Sequence, residues 1–262
     1  MNSRTSTTDY KGNISHYKGN NYYTQLKCRQ MNSCERSPYS TLDCSRGGYA
    51  DLSGLTRLQV AVSRKRFDVV EEILAHRGIF SYFDPKIDEQ NNEGDTALIM
   101  AVKTRAWSTV ELLLSYGVNP NIQNRVGKTA LHAGAEIRSF SIVEILVKHG
   151  ANLDTKDMNG NTALMLSVKS NADGSVEQLI RNGADFDIQN NKGKTALHMC
   201  SKRNMLDMIK ELMSHGANPN IRDINGDIAE NLTDLSAVKE CIEEEARLYL
   251  IRTEHERLWF DM

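Results

Sequence analysis

The chain has 262 residues, 40% of them hydrophobic, and a formal net charge of −2, enough for one sizeable domain or two small ones. Seven Lys/Arg against three Asp/Glu put +4 on residues 1–50 and leave −6 on the remainder, so no stretch is basic enough to bind nucleic acid by charge alone. No apolar run approaches the ~20 residues of a membrane span and the N-terminus has no apolar signal core, which sets the expectation of a cytoplasmic or nuclear protein without membrane contact.

Residues 1–50 hold six of the nine tyrosines, seven serines and a small duplication, YKGN at 10–13 and 17–20. Apolar residues are too sparse there to form a core, so the segment is expected to be a disordered, solvated tail. The five cysteines (Cys28, Cys34, Cys44, Cys200 and Cys241) are odd in number. With no export signal they are expected to be reduced thiols, and the tail spacings fit no zinc pattern. The sequons at Asn13 and Asn231 read as chance.

From residue 51 onward the chain repeats. Gly94, Gly127, Gly160, Gly193 and Gly226 fall 33 residues apart, and Thr96, Thr129, Thr162 and Thr195 follow the first four by two. Gly117, Gly150, Gly183 and Gly216 keep the same interval. A period of this length marks a solenoid built from one supersecondary unit per repeat. In each unit Thr-Ala-Leu opens a short helix, with the hydroxyl serving first-turn N–H groups. A polar turn leads into a second helix such as 141–150, whose Ile142, Val143, Ile145 and Leu146 form an apolar stripe. Gly150 ends it in a left-handed cap, and the Asn/Asp/Gly-rich stretch that follows reads as a hairpin-like connection.

This pattern resembles the ankyrin repeat, D-x-x-G-x-T-P-L-H-x-A followed by a second helix and G-A-D-x-N, and residues 193–220 match it almost throughout. The motif proline is Ala97, Ala130, Ala163 and Ala196 in four copies, a mild change because proline at a helix start only pre-sets φ. The resemblance implies an all-α ankyrin-repeat solenoid over 51–250. Its roughly six repeats fall at about 53–91, 92–124, 125–157, 158–190, 191–223 and 224–250, and residues 251–262 form a C-terminal extension. The first copy carries seven extra residues around 79–87, which predicts a longer loop or second helix. Asp173 and Ser175 stand at apolar positions, which predicts a soft spot in the fourth unit. The last unit loses its Thr and cap Gly and runs on as a charged helix, as suits a terminal cap.

Two stretches, 125–132 (RVGKTALH) and 191–198 (NKGKTALH), carry the Gly-Lys-Thr of a phosphate-binding loop. The Walker spacing requires a further glycine at 122 and 188, where the chain has Ile122 and Ile188. A β-branched residue disfavours the positive φ of such a turn, so the nucleotide reading fails. His132 and His198 have no acid or nucleophile that repeats with them, and the resemblance implies a structural role tying adjacent loops. Gln59, Ile99 and Met165 fill the same place elsewhere. No catalytic residue, cofactor or metal is expected.

The resemblance further implies a non-enzymatic scaffold or adaptor, monomeric, that binds another protein through the concave face made by hairpin tips and inner helices. Carried onto this chain, that face includes Arg125, Val126, Lys128, Glu136, Ile137, Met158, Asn161, Lys169, Lys192, Lys194, Lys202 and Arg203. Its basic side chains and the apolar Val126, Ile137 and Met158 suit an acidic partner segment around an apolar anchor. The lysines of Gly-Lys-Thr sit at a variable position beside the hairpin tip. Two narrower roles stay open: an inhibitor of Rel-type transcription factors like the IκB group, and a substrate adaptor for a ubiquitin ligase. Asn121 and Asn220 stand where ankyrin asparagines can be hydroxylated, and Leu258, Trp259 and Phe260 form a docking motif or fold back on the last helix.

Overall fold

The computed structural model describes residues 55–75, 87–233 and 235–260, with side chains through Ile251. All of them belong to the compact unit Gly47–Met262. The expectations for residues 1–50, and for the insertion of the first copy apart from Ile87, lie outside the described residues, as do the Leu258, Trp259 and Phe260 side chains. The described residues form eleven α-helices, one 3-10 turn and no strand.

The helices come in pairs: α1 Arg57–Ser63 with α2 Phe67–Ala75, α3 Ala97–Lys103 with α4 Trp107–Ser115, α5 Ala130–Glu136 with α6 Phe140–Lys148, α7 Ala163–Ser170 with α8 Asp173–Arg181, and α9 Ala196–Lys202 with α10 Leu206–Ser214. The sixth unit replaces its first helix by the 3-10 turn Ala229–Leu232 and its second by α11, Ser236–Phe260. This last helix runs through residue 250 unbroken, so the final repeat and the C-terminal extension share one element. Inner helices α1, α3, α5, α7 and α9 pack on one another in turn, and outer helices α2, α4, α6, α8 and α10, followed by α11, form a second row.

Each inner helix starts because threonine caps it. Thr56, Thr96, Thr162 and Thr195 are extended and accept from the N–H three residues on, at 3.2 to 3.5 Å. Outer helices α4, α6, α8 and α10 end in the same way, as at Gly150: at φ +79 it donates to the Val147 carbonyl while Ala151 N–H reaches back to Leu146, closing the last turn as a Schellman cap does. Between these limits the apolar faces meet. Leu98, Leu131, Leu164 and Leu197 from the inner row and Leu113, Leu146, Leu179 and Leu212 from the outer row are buried in one continuous core. Each buried leucine contributes roughly 1.5–3 kcal/mol.

The fourth unit keeps this pattern although Asp173 and Ser175 stand at apolar positions. Helix α8 forms and buries Val176, Leu179 and Ile180, but Ser175 is buried with its hydroxyl unpartnered, as are Ser167 in α7 and Ser201 in α9. A buried hydroxyl without a partner costs about 1–3 kcal/mol, so three of them concentrate a stability deficit in two adjoining repeats.

Candidate functional site

The hairpin tips are stacked by backbone bonds. Arg125 N–H donates to the Glu93 carbonyl, Met158 to Val126, Asn191 to Asn159 and Ile224 to Lys192, at 3.0 to 3.2 Å. The tip glycines make this approach possible. Gly127 has φ +75, and a Cβ there would stand 2.7 Å from the Met158 nitrogen. Each tip is also held from below by an Asn or Asp side chain: Asn124, Asp157, Asn190 and Asp223 each accept two backbone N–H bonds from the loop they open. The long side chain immediately ahead of each of the first three spans to the following unit, as when Gln123 Nε2 donates to the Gly127 and Lys156 carbonyls. The ridge is therefore rigid, and its apolar residues cannot fold inward. Val126 is 50% exposed, Met158 67% and Ile224 70%.

The candidate residues divide on this frame. Arg125, Val126, Glu136, Met158, Lys169, Lys192, Lys202 and Arg203 are exposed. Glu136 and Lys128 pair with each other at 2.6 Å, and Ile137 is half-buried against the core. Asn161 accepts from Asn190 Nδ2 at 3.0 Å and offers its backbone carbonyl to His132. Arg203 donates to the Val168 and Lys169 carbonyls and so caps the preceding inner helix. Lys194 is only 18% exposed, with its ammonium 3.6 Å from the fully buried carboxylate of Asp223.

The lysines beside the tips are thus engaged by their own fold. A signal for this is readable in the sequence at a fixed offset of 29 residues. Asp95 accepts from Asn124 at 2.8 Å, Asn161 from Asn190, and Lys194 faces Asp223. Lys128 is the exception, turned to Glu136 instead. Burial opposes the charge on Asp223, but the Asn225 and Asp227 N–H groups, then Lys194 and His198, outweigh it and hold its pKa below the ordinary carboxylate value.

Both histidines tie loops. Thr129 N–H donates to His132 Nδ1 at 3.2 Å, which leaves the proton on Nε2 to reach the Asn161 carbonyl at 3.1 Å. His198 repeats this with Thr195 and the Asp227 carbonyl. The bonding assigns the tautomer. Burial lowers both pKa values, opposed by the loop-carbonyl bonds and nearby acids. Burial also pushes the Cys200 thiol up to about 12, which leaves it unreactive. Asn121 is likewise structural: it accepts from Asn152 N–H at 2.7 Å and donates to the Gly150 carbonyl.

Among the described residues no group of His, Cys, Asp or Glu is placed to hold a metal ion, and no helix is long and apolar enough to cross a membrane. A family model for ankyrin repeats (three copies) matches residues 39–124, 58–157, 106–190 and 153–223. The chain therefore belongs to the ankyrin-repeat family, whose members are typically non-enzymatic modules that mediate protein–protein interaction. Comparison with the curated proteins gives no match.

Proposed function

We infer that this protein is a scaffold or adaptor that binds another protein along its tip ridge and inner-helix face. The observation that carries the reading is the apolar row Val126, Met158 and Ile224, held outward on a backbone-laddered ridge and flanked by the exposed Arg125, Lys192, Lys169 and Lys202. Exposed apolar groups on a rigid support bind without an ordering cost, and the basic flank selects partners with acidic residues beside an apolar anchor. Lys194 and Lys128, half-buried and engaged by Asp223 and Glu136, shape this face from within, while the exposed Arg203 stays on it.

The test compares proteins retained by the parent chain with those retained by a Met158→Asp/Lys192→Glu/Lys202→Glu variant of unchanged Tm. Loss of the same specific proteins on the variant supports the face. Identical retained sets would overturn it. The narrower reading as a Rel-factor inhibitor rests on the count of about six repeats. It predicts direct binding to an isolated Rel homology domain, and absence of binding removes it. The ligase-adaptor reading predicts that truncation at residue 228 abolishes ligase association while partner binding persists.

A further inference from the structure

The edge of the array opposite the tips carries a motif that the repeat does not require. Each inner helix runs away from its tip and ends in a left-handed residue that turns the chain into the outer helix: Lys65, Arg105, Arg138, Asn171 and Asn204, all at φ between 54 and 59. Asparagine tolerates this conformation far better than lysine or arginine, and the last two units use it. The first three use a cation and follow it, two residues on, with an aromatic at the first position of the outer helix: Phe67, Trp107 and Phe140. Phe140 is 45% exposed and Trp107 59%. The fourth unit has Asp173 there, so the row ends.

These edges lie in register along the array. Ser170 Oγ donates to the Ala135 carbonyl of the preceding unit at 2.8 Å, and the Phe140 ring lies against Gly174 of the next. Among the described residues the side chains of Lys65, Arg105 and Arg138 form no hydrogen bond or ion pair. Asp68, beside the first motif, is taken up by Arg66 at 2.8 Å. One helical turn beyond each aromatic stands an acid, Glu71, Glu111 and Glu144, on the same face of the outer helix; Glu71 and Glu111 are exposed, while Glu144 is paired with Lys148 at 2.8 Å, an exchangeable surface pair. Three aromatics in a row therefore lie between a row of cations and a row of carboxylates.

We propose that this row, on outer helices α2, α4 and α6, binds a proline-rich segment in the polyproline-II conformation whose residues between the prolines carry opposite charges. Packed helices repeat at about 8–10 Å, and a polyproline-II chain repeats every three residues, about 9 Å. An extended strand alternates faces every two residues and does not match that spacing. Each aromatic thus takes one proline, as aromatic-lined grooves do for such ligands. Of the two residues between prolines, one turns to the cation row and is acidic, and the other turns to the carboxylate row and is basic. The chain's own residues 1–50, with seven Lys/Arg against three Asp/Glu and a single proline, Pro38, have the wrong composition to occupy it. The surface is separate from the tip ridge and does not rest on that reading.

The probes are two synthetic peptides, four repeats of Pro-Glu-Lys and four of Pro-Lys-Glu, which present the charges in the two possible directions, with Gly-Glu-Lys repeats as control. Titration calorimetry with the full chain is expected to show one of the two bound and the control not bound. Trp107→Ala should weaken that binding about 30-fold, as for a central aromatic anchor. Arg105→Asn and Arg138→Asn should together weaken it several-fold while Tm stays level or rises, because they install the residue the last two units use. Lys210→Gln, exposed on outer helix α10 beyond the end of the row, should leave peptide binding unchanged. Absence of binding by both peptides, equal binding of the control, or indifference to Trp107→Ala would overturn the proposal. So would self-association abolished by Trp107→Ala without peptide binding, which would assign the row to a second copy of the chain.

Discussion

Lys194 stands 3.6 Å from Asp223 across the junction of two repeats, and the Asp223 carboxylate is closed off from solvent. The lysine of the apparent phosphate-loop motif is therefore a counterion for the next repeat. Lys194→Met leaves that carboxylate buried beside no cation and should lower Tm by several degrees, on the order of 5 °C. Adding Asp223→Asn should recover most of the loss, because Asn124 and Asn190 hold their tips by the same pair of N–H bonds. Thermal melts of the two single variants and the double variant check this, and strictly additive losses would show that the two side chains act independently.

His132, His198 and Gln59 occupy the same place in three repeats, and the glutamine does the work without a proton to gain. Gln59 Oε1 accepts from Thr56 N–H at 2.8 Å, and its Nε2 donates to the Glu89 carbonyl at 2.7 Å. Folding lowers both histidine pKa values, so the unfolded chain binds protons more readily in the window between the folded values and about 6.5. Their contribution is complete above the unfolded pKa and is lost as pH falls through that window. Tm should drop between about pH 7.5 and pH 5. His132→Gln/His198→Gln should flatten the slope while keeping the neutral-pH Tm close to the parent. An unchanged slope would assign the acid sensitivity to other groups.

Local rules were legible in the sequence where each element depends on its own residues. The 33-residue spacing of Gly94, Gly127, Gly160, Gly193 and Gly226 placed the tips, and Thr-Ala-Leu placed the starts of α3, α5, α7 and α9. Ser175 stood out in the sequence at an apolar position, and its hydroxyl is buried without a partner. Side-chain direction was less legible, because it is decided across the junction between repeats. Lys192 and Lys194 look alike in sequence, yet Lys192 points to solvent and Lys194 to Asp223. Arg203 is exposed as its sequence suggests, yet its guanidinium also closes the carbonyl end of α7. The aromatic row was hidden for a different reason: Phe67, Trp107 and Phe140 begin amphipathic helices, where an apolar residue reads as core until its exposure is known.

Gly127 and Gly226 isolate what the tip ladder contributes. Both hold positive φ, +75 and +85, so alanine costs each about 1 kcal/mol of backbone strain. They differ in what lies beyond. A Cβ on Gly127 meets the Met158 nitrogen at 2.7 Å and the Asp157 carbonyl carbon at 3.0 Å, whereas one on Gly226, the last tip of the series, meets nothing within 4 Å. Gly127→Ala must therefore also push the fourth unit's tip away and weaken the Met158 to Val126 bond, for a further loss of about 1–3 kcal/mol. Chemical denaturation of the two variants measures the difference. Amide exchange should place the excess at Met158, whose N–H would lose protection in Gly127→Ala alone. Equal destabilisation of the two variants would show that the tips are joined only through the helices beneath them, and the ridge would then lose the rigidity on which its apolar row depends.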